Sequence, residues 1–171
     1  MNFNVIKIPN LSAQIVLSCF PGRTKANKFS ENEFTSLFDA LEDLHCSFLL
    51  SLTEDYEFDE YCGKSFFKIA TENRSFKWIH IPIVDMNVPD KVFINEYNIV
   101  RPKLIKSLSE ENCIAIHCKG GLGRSGLVGA MLLSELGFTA KKAINHIRKY
   151  RKGAIETQEQ EQFIYEFSKS K

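Results

Sequence analysis

One segment of the sequence carries the residue types needed for nucleophilic chemistry on an anionic group. The run IAIHCKGGLGRSG occupies residues 114–126. Its apolar start predicts a buried strand, Cys118 and a glycine-rich turn follow, and Arg124 and Ser125 open an apolar helix. A strand, a tight loop and a helix start direct backbone N–H groups to one point, and this geometry binds anions.

Each residue type in this segment has a chemical reason to be there. A thiol attacks well only as the thiolate, which a helix N-terminus and a nearby arginine both stabilise. The planar guanidinium of Arg124 can bind two phosphate oxygens at once, and the hydroxyl of Ser125 can cap the helix or donate to the sulfur. His117 is expected to hold the loop by hydrogen bonding rather than to carry protons. We predict Cys118 as the nucleophile, with phosphate bound by Lys119, Gly120, Gly121, Leu122, Gly123 and Arg124.

The combination of residues, rather than any single one, makes this prediction specific. A cysteine at the end of a buried strand is usually a small packing residue, and glycines after a strand usually form a turn. The segment is not a nucleoside-triphosphate loop, because such a loop has lysine and then serine or threonine after its last glycine. Arg124 occupies the lysine position here.

The segment HCKGGLGRSG resembles the active-site loop of cysteine-dependent protein phosphatases, in the compact dual-specificity branch. With the flanking segments, it is most similar to the kinase-associated phosphatase (cyclin-dependent kinase inhibitor 3) group and its bacterial relatives. The resemblance covers nearly the whole chain and is weakest over residues 54–75. It implies a two-step reaction through a phosphocysteine, without metal or cofactor. It also implies a phosphorylated protein as substrate, with a kinase as one candidate.

A second segment, VDMNVPD after the strand-like run FKWIHIPI, offers an acid. A carboxylic acid on a loop beyond the carboxyl end of a strand can protonate the oxygen that leaves phosphorus. Asp85 lies between Pro82 and Pro89, and Pro-Ile-x-Asp-x-x-x-Pro resembles the acid loop of the family. Asp90 is the rival, but it precedes an apolar-periodic run and is better explained as a helix N-cap.

A third segment, GAIETQEQEQF, supplies candidate glutamines. Thr157 and Gln160 have the spacing of a capping box, which could explain both residues. The segment also resembles the glutamine loop of the family, Ile-x-Thr-x-x-Gln, in which the glutamine positions the water that hydrolyses the phosphocysteine. Gln160 matches that position, Gln162 is the nearest alternative, and Gln158 is third.

The remaining patterns predict the elements that position these segments. Strands are predicted over 13–19, 47–52, 76–83 and 113–116. Helices are predicted over 31–44, 64–73, 91–109, 125–136 and from Thr139, with a short solvated helix over the acidic run 54–61 and a kink or split at Pro102. Alternating strands and helices predict an α/β fold, a mostly parallel central sheet flanked by helices on both faces.

We expect a single phosphatase domain over residues 1–171. The basic cluster at residues 141–152 is interpreted as an outward face that could also attract an anionic substrate.

Composition narrows the function classes. The chain has 171 residues, a net charge of +1 and five cysteines. This charge does not favour a nucleic-acid partner, no apolar run predicts a transmembrane segment, and no pattern indicates an oligomeric state. An odd number of cysteines without a Cys-x-x-Cys pair fits neither a disulfide framework nor a zinc site. We therefore expect a reducing, cytoplasmic compartment, of its own cell or of one into which it is delivered.

Two other functions remain open at this point. Lys119 also occurs in phosphoinositide phosphatases of the superfamily, and a second cation suits a multiply charged headgroup. Those enzymes often carry another basic residue in the loop, where this chain has Leu122. A non-catalytic phosphate-binding adaptor is the third function, and the presence of Cys118, Arg124 and Asp85 together disfavours it.

Overall fold

The computed structural model describes residues 3–170, which form a five-stranded sheet with helices on both faces. The strands are β1 (Phe3–Lys7), β2 (Gln14–Ser18), β3 (Cys46–Ser51), β4 (Lys77–His80) and β5 (Cys113–His117). Their order in the sheet is β1-β2-β5-β3-β4, with β1 antiparallel to β2 and all other pairs parallel. The predicted fold class is confirmed.

Seven helices complete the described part of the chain. They are α1 (Glu31–Asp43), α2 (Asp55–Asp59), α3 (Lys64–Glu72), α4 (Lys91–Ser109), α5 (Gly123–Glu135), α6 (Ala140–Tyr150) and α7 (Gln158–Lys169). Helices α1 to α3 cover one face of the sheet with an aromatic-rich core, and α4 to α7 cover the other with an aliphatic core. No helix within residues 3–170 is long and apolar enough to cross a membrane.

Strand β5 lies at the centre of the sheet, and this position places Cys118 at the middle of one sheet edge. The strand is flanked on both sides by parallel neighbours, and all five of its residues are buried. The carboxyl ends of β2, β3, β4 and β5 share this edge, so the loops that follow them converge there. Helix α5 then runs back under the sheet with 12 buried residues, as its nearly uniform apolar sequence predicts.

Helix starts follow the capping signals in the sequence. The side chains of Ser30, Asp90, Thr139 and Thr157 each accept a hydrogen bond from the backbone N–H three residues later. Asp90 therefore has the N-cap position that its spacing predicts.

Two local expectations differ from the structure. The strand predicted over 76–83 extends only over Lys77–His80, where its last partner is Ser51 at the end of β3, although the N–H groups of Ile81 and Ile83 still donate to the carbonyls of Ser51 and Leu52. Pro102 was expected to kink or split the helix, and of these two outcomes the split does not occur, because α4 continues through Pro102. Pro102 is exposed, so the carbonyl that loses its helical partner faces solvent, where water can satisfy it.

Candidate active site

The loop between β5 and α5, residues 118–124, is called the cysteine loop here. The carbonyl groups of residues 119–122 point away from the centre of the loop and accept hydrogen bonds from surrounding segments. The Lys119 carbonyl accepts from the backbone N–H of Phe20 at 3.2 Å and from Arg23 at 3.1 Å. The carbonyls of Gly120 and Gly121 accept from Arg151. The Leu122 carbonyl accepts from the N–H groups of Gly126 and Ile155.

This outward bonding fixes the direction of the amides. In a planar trans peptide the N–H points opposite to the preceding carbonyl, so the amides of residues 120–123 face the inside of the loop. The Gly121 N–H lies 3.1 Å from Sγ of Cys118, which is 2% exposed. The Ser125 hydroxyl lies 3.6 Å from the same sulfur. The sulfur thus lies beside the Gly121 N–H and the Ser125 hydroxyl at the N-terminus of α5, and inward amides at a helix N-terminus are an anion-binding geometry.

Gly121 is required by this packing. Its φ is +72°, and a Cβ at this position would lie 2.4 Å from the backbone N of Cys19. The loop therefore rests directly on the end of β2, and a side chain here would push it off that strand.

Arg124 lies in the first turn of α5, and its side chain is 1% exposed. Its Nη1 and Nη2 donate to the two carboxylate oxygens of Glu57 at 2.6 and 2.8 Å, and Nη1 also donates to the Ile83 carbonyl at 3.1 Å. Burial by itself lowers the pKa of Arg124, but the bonds to Glu57 and the charge of Asp85 raise the pKa above its ordinary value. The guanidinium is therefore always charged. Its Nε is buried and has no hydrogen-bond partner within residues 3–170.

The interpretation of the acidic run 54–61 as a solvated helix is wrong for one residue, Glu57. The run does form a short helix, α2, and most of its acids are exposed or half-exposed, but Glu57 is 0% exposed. The physical reason is the buried charge of Arg124, which needs a carboxylate partner at bidentate distance. Arg124 and the five acids of residues 54–61 lie far apart in the sequence, and spacing alone does not choose among the five acids.

The loop that carries Asp85, residues 82–89, is called the acid loop. The Asp85 Oδ1 lies 2.8 Å from Nη2 of Arg124, and the side chain is 49% exposed. Asp85 therefore reaches the same guanidinium as Glu57 but from the solvent side. Asp90, the rival acid, is held at the start of α4 by its bond to the Phe93 N–H at 2.8 Å.

Gln160 connects the acid loop to the last segment of the chain. It is 0% exposed, its Nε2 donates to the Asn87 carbonyl at 3.1 Å, and its Oε1 accepts from the Glu156 N–H at 2.9 Å. If Gly123 carried a Cβ, that atom would lie 3.1 Å from both Oε1 and Nε2 of Gln160, so this side chain packs against the cysteine loop. Gln158 and Gln162 are exposed, and Gln162 bonds Glu166 instead. The water-positioning role of Gln160 stays a prediction.

Two further side chains support the site. His117 is fully buried, its Nε2 pairs with the Ser51 hydroxyl, and burial lowers its pKa to about 3. The ring is therefore neutral at pH 7 and suited to holding the strand end. Lys119 points outward and pairs with Glu60 at 2.6 Å. The hydrogen bond to Glu60 raises the pKa of Lys119.

Part of the basic cluster at residues 141–152 has a structural task that the outward-face interpretation missed. Arg151 is half-buried and holds the carbonyls of the cysteine loop, and it also donates to the Asn4 side chain. Arg148 donates to the carbonyls of Ala154 and Ile155. Within the described part of the chain, no three His, Cys, Asp or Glu side chains form a group suited to a metal ion.

Residues 26–164 match the family model described as "PTP-SAK: Swiss Army Knife protein, DSP-PTPase phosphatase domain". The chain belongs to this family. It is 40% identical over 91 residues to Cyclin-dependent kinase inhibitor 3 of Homo sapiens, a segment that is 52% of this chain and 42% of that protein. It therefore spans less than half the length of that curated relative.

Comparison of structures gives the same fold. A kinase associated phosphatase with serine in place of its catalytic site cysteine superimposes with a TM-score of 0.82, at 24% identity, covering 99% of this chain and 95% of that one. PTPMT1 in complex with PI(5)P superimposes with a TM-score of 0.69 at 21% identity, covering 91% and 90%. The resemblance to the kinase-associated phosphatase group is confirmed.

The Arg124–Glu57 pair generates a stability prediction. Arg124→Met should lower the free energy of unfolding by about 3–5 kcal/mol, because it leaves the buried carboxylate of Glu57 unpaired. Glu57→Leu should lower it by less, because Arg124 keeps the half-exposed Asp85 as a partner. The double variant should cost much less than the sum of the two, because it leaves no unpaired charge. Urea denaturation of all four proteins measures the coupling. Additive losses would show that the two charges do not stabilise each other.

Proposed function

We propose that this chain hydrolyses phosphate monoesters of phosphorylated proteins, on phosphotyrosine and also on phosphoserine and phosphothreonine. The observation that carries the proposal is the inward direction of the loop amides, of which the Gly121 N–H lies 3.1 Å from the Cys118 sulfur, together with the buried Nε of Arg124, which has no hydrogen-bond partner among the described residues. A phosphoryl group in the loop would satisfy these donors. Its charge would then be balanced by a guanidinium that is already fixed in place by Glu57.

The first chemical step uses Cys118 and Asp85. The thiolate of Cys118 attacks phosphorus, and the bond between phosphorus and the ester oxygen breaks. Asp85 gives its proton to that oxygen, so the product leaves as an alcohol or phenol. The loop amides and Arg124 bind the three equatorial oxygens as charge spreads over them.

The second step returns the enzyme to its starting state. A water attacks phosphorus, the sulfur–phosphorus bond breaks, and the carboxylate of Asp85 takes the proton of the water. The hydroxyl of Ser125, 3.6 Å from the sulfur, stabilises the departing thiolate. Gln160 is buried against this loop and tied to the acid loop, and this placement supports its proposed role in orienting the water.

A reducing compartment, such as the cytoplasm, is part of the proposal. The five cysteines form no disulfide, and the catalytic chemistry requires Cys118 as a thiolate. A phosphorylated protein, with a kinase as one candidate, is the proposed partner. The non-catalytic adaptor is disfavoured because the nucleophile, the arginine and the acid lie together in one site.

Cys118→Ser tests the proposal directly. The variant should release no phosphate from phosphotyrosine or phosphothreonine peptides, because an alkoxide does not form at neutral pH as a thiolate does. Phosphate release by the wild type, lost in the variant, establishes the function. Equal release by both, or none by either, would contradict it, and circular dichroism of the variant shows that it remains folded.

Asp85→Asn tests the acid. The loss in kcat/KM should be about 10²–10⁴-fold for an alkyl phosphate and much smaller for p-nitrophenyl phosphate, whose leaving group needs no proton. Asp90→Asn is the matched control, since its amide oxygen can still cap α4, and it should change neither rate. An equal loss for both esters in Asp85→Asn would remove Asp85 from the acid role.

Phosphoinositide hydrolysis is the second candidate, and Lys119 is its basis. The pairing of Lys119 with Glu60 at 2.6 Å disfavours it, because a second phosphate near the loop would meet the carboxylate as well as the ammonium group. Glu60 therefore favours substrates that carry a single phosphate.

Glu60→Gln makes this preference measurable. The variant should raise kcat/KM for a short-chain phosphoinositide by about fivefold, the scale of one exposed charge interaction, and change that for a phosphotyrosine peptide less than twofold. Asp59→Asn, a neighbouring exposed acid outside the Lys119 pair, is the control and should change neither. A wild type that already prefers the lipid would contradict the role given to Glu60.

A further inference from the structure

A groove lies beside the acid loop, between that loop and the start of α4. Its volume is about 390 Å³, and its lining includes Ile81, Ile83, Val84 and Val92. The groove adjoins the proposed site. Ile83, which lines the groove, accepts a hydrogen bond from Arg124 through its carbonyl, and Asp85, two residues later, pairs with the same guanidinium. A protein substrate with its phosphate in the cysteine loop can therefore place neighbouring residues on this surface.

The groove has one sign of charge. Glu54, Asp90 and Glu96 line it, and among the described residues no lysine or arginine does. The Asp90 carboxylate accepts a hydrogen bond from the backbone N–H of Phe93, while the side chain of Glu96 is exposed. Such a surface attracts cationic groups and repels nucleic acids and anionic lipid headgroups.

The same surface is unusually apolar for an exposed one. Val84 and Met86 are each 52% exposed and Val92 is 64% exposed, all on or beside the groove. Large apolar side chains gathered next to a site and rimmed by charges mark a contact surface. Together with the acids, they fit an extended peptide in which basic and apolar side chains alternate.

We propose that this groove binds the segment flanking the phosphorylated residue of the substrate protein, and that this segment carries lysine or arginine with apolar residues between them. The inference rests on the proposed function and narrows its substrate class. Glu96 is the specificity-determining residue, because it is exposed on the groove and takes no part in the chemistry.

Matched peptides test the groove. A phosphotyrosine peptide carries two lysines, two alanines or two glutamates at the same flanking positions, in one series before the phosphotyrosine and in another after it. In at least one series the lysine peptide should exceed the alanine peptide in kcat/KM by about fivefold, and the glutamate peptide should fall below it. Raising the salt concentration should shrink the difference, since exposed charges are screened.

Glu96→Lys should remove this preference and leave hydrolysis of p-nitrophenyl phosphate unchanged. Glu110→Lys, just beyond the C-terminal end of the same helix and about 21 Å away along its axis, should keep the preference. Three results would contradict the peptide-binding role of the groove. They are a wild type without a lysine preference, a preference that survives Glu96→Lys, and a short-chain phosphoinositide hydrolysed faster than every peptide. Absence of phosphate release from all peptides and from p-nitrophenyl phosphate would instead overturn the proposed function.

Discussion

The buried pair of Arg124 and Glu57 is the interaction on which the site depends. Burying a guanidinium to 1% exposure costs free energy unless both oxygens of a carboxylate accept hydrogen bonds from it. Glu57 provides these oxygens from α2, the short helix that follows β3. The pair fixes α2 against the start of α5. It also presents Nη2 to Asp85, so one guanidinium determines where both carboxylates lie.

A second constraint acts on the backbone of the cysteine loop. Two arginines far apart in the chain, Arg23 and Arg151, donate to its outward carbonyls. Each of these bonds does two things. It holds the loop in the shape that turns its amides inward, and it places a positive charge behind a site intended for an anion. The geometry and the electrostatics of the loop therefore come from the same contacts.

The fold and the centre of the site could be predicted from the sequence because their signals are local. Apolar runs, caps and glycines determine β5, the cysteine loop and α5 within a dozen residues, and the acid follows its strand directly. Glu57, Arg23 and Arg151 could not be assigned in this way. Each is one charged residue among several in a polar segment, and only the tertiary packing selects which of them turns inward. The continuity of α4 through Pro102 likewise depends on which side of the helix faces solvent.

The bond between Gln160 and the Asn87 carbonyl joins segments 73 residues apart. The acid loop is also attached through Ile83, whose N–H donates to the Leu52 carbonyl and whose carbonyl accepts from Arg124, and through the Asp85 carboxylate beside the same guanidinium. Gln160 belongs to the first turn of α7, so this bond ties the acid loop directly to the start of the last helix. A change in the packing of the last helix would therefore be transmitted to the loop that carries the proposed acid.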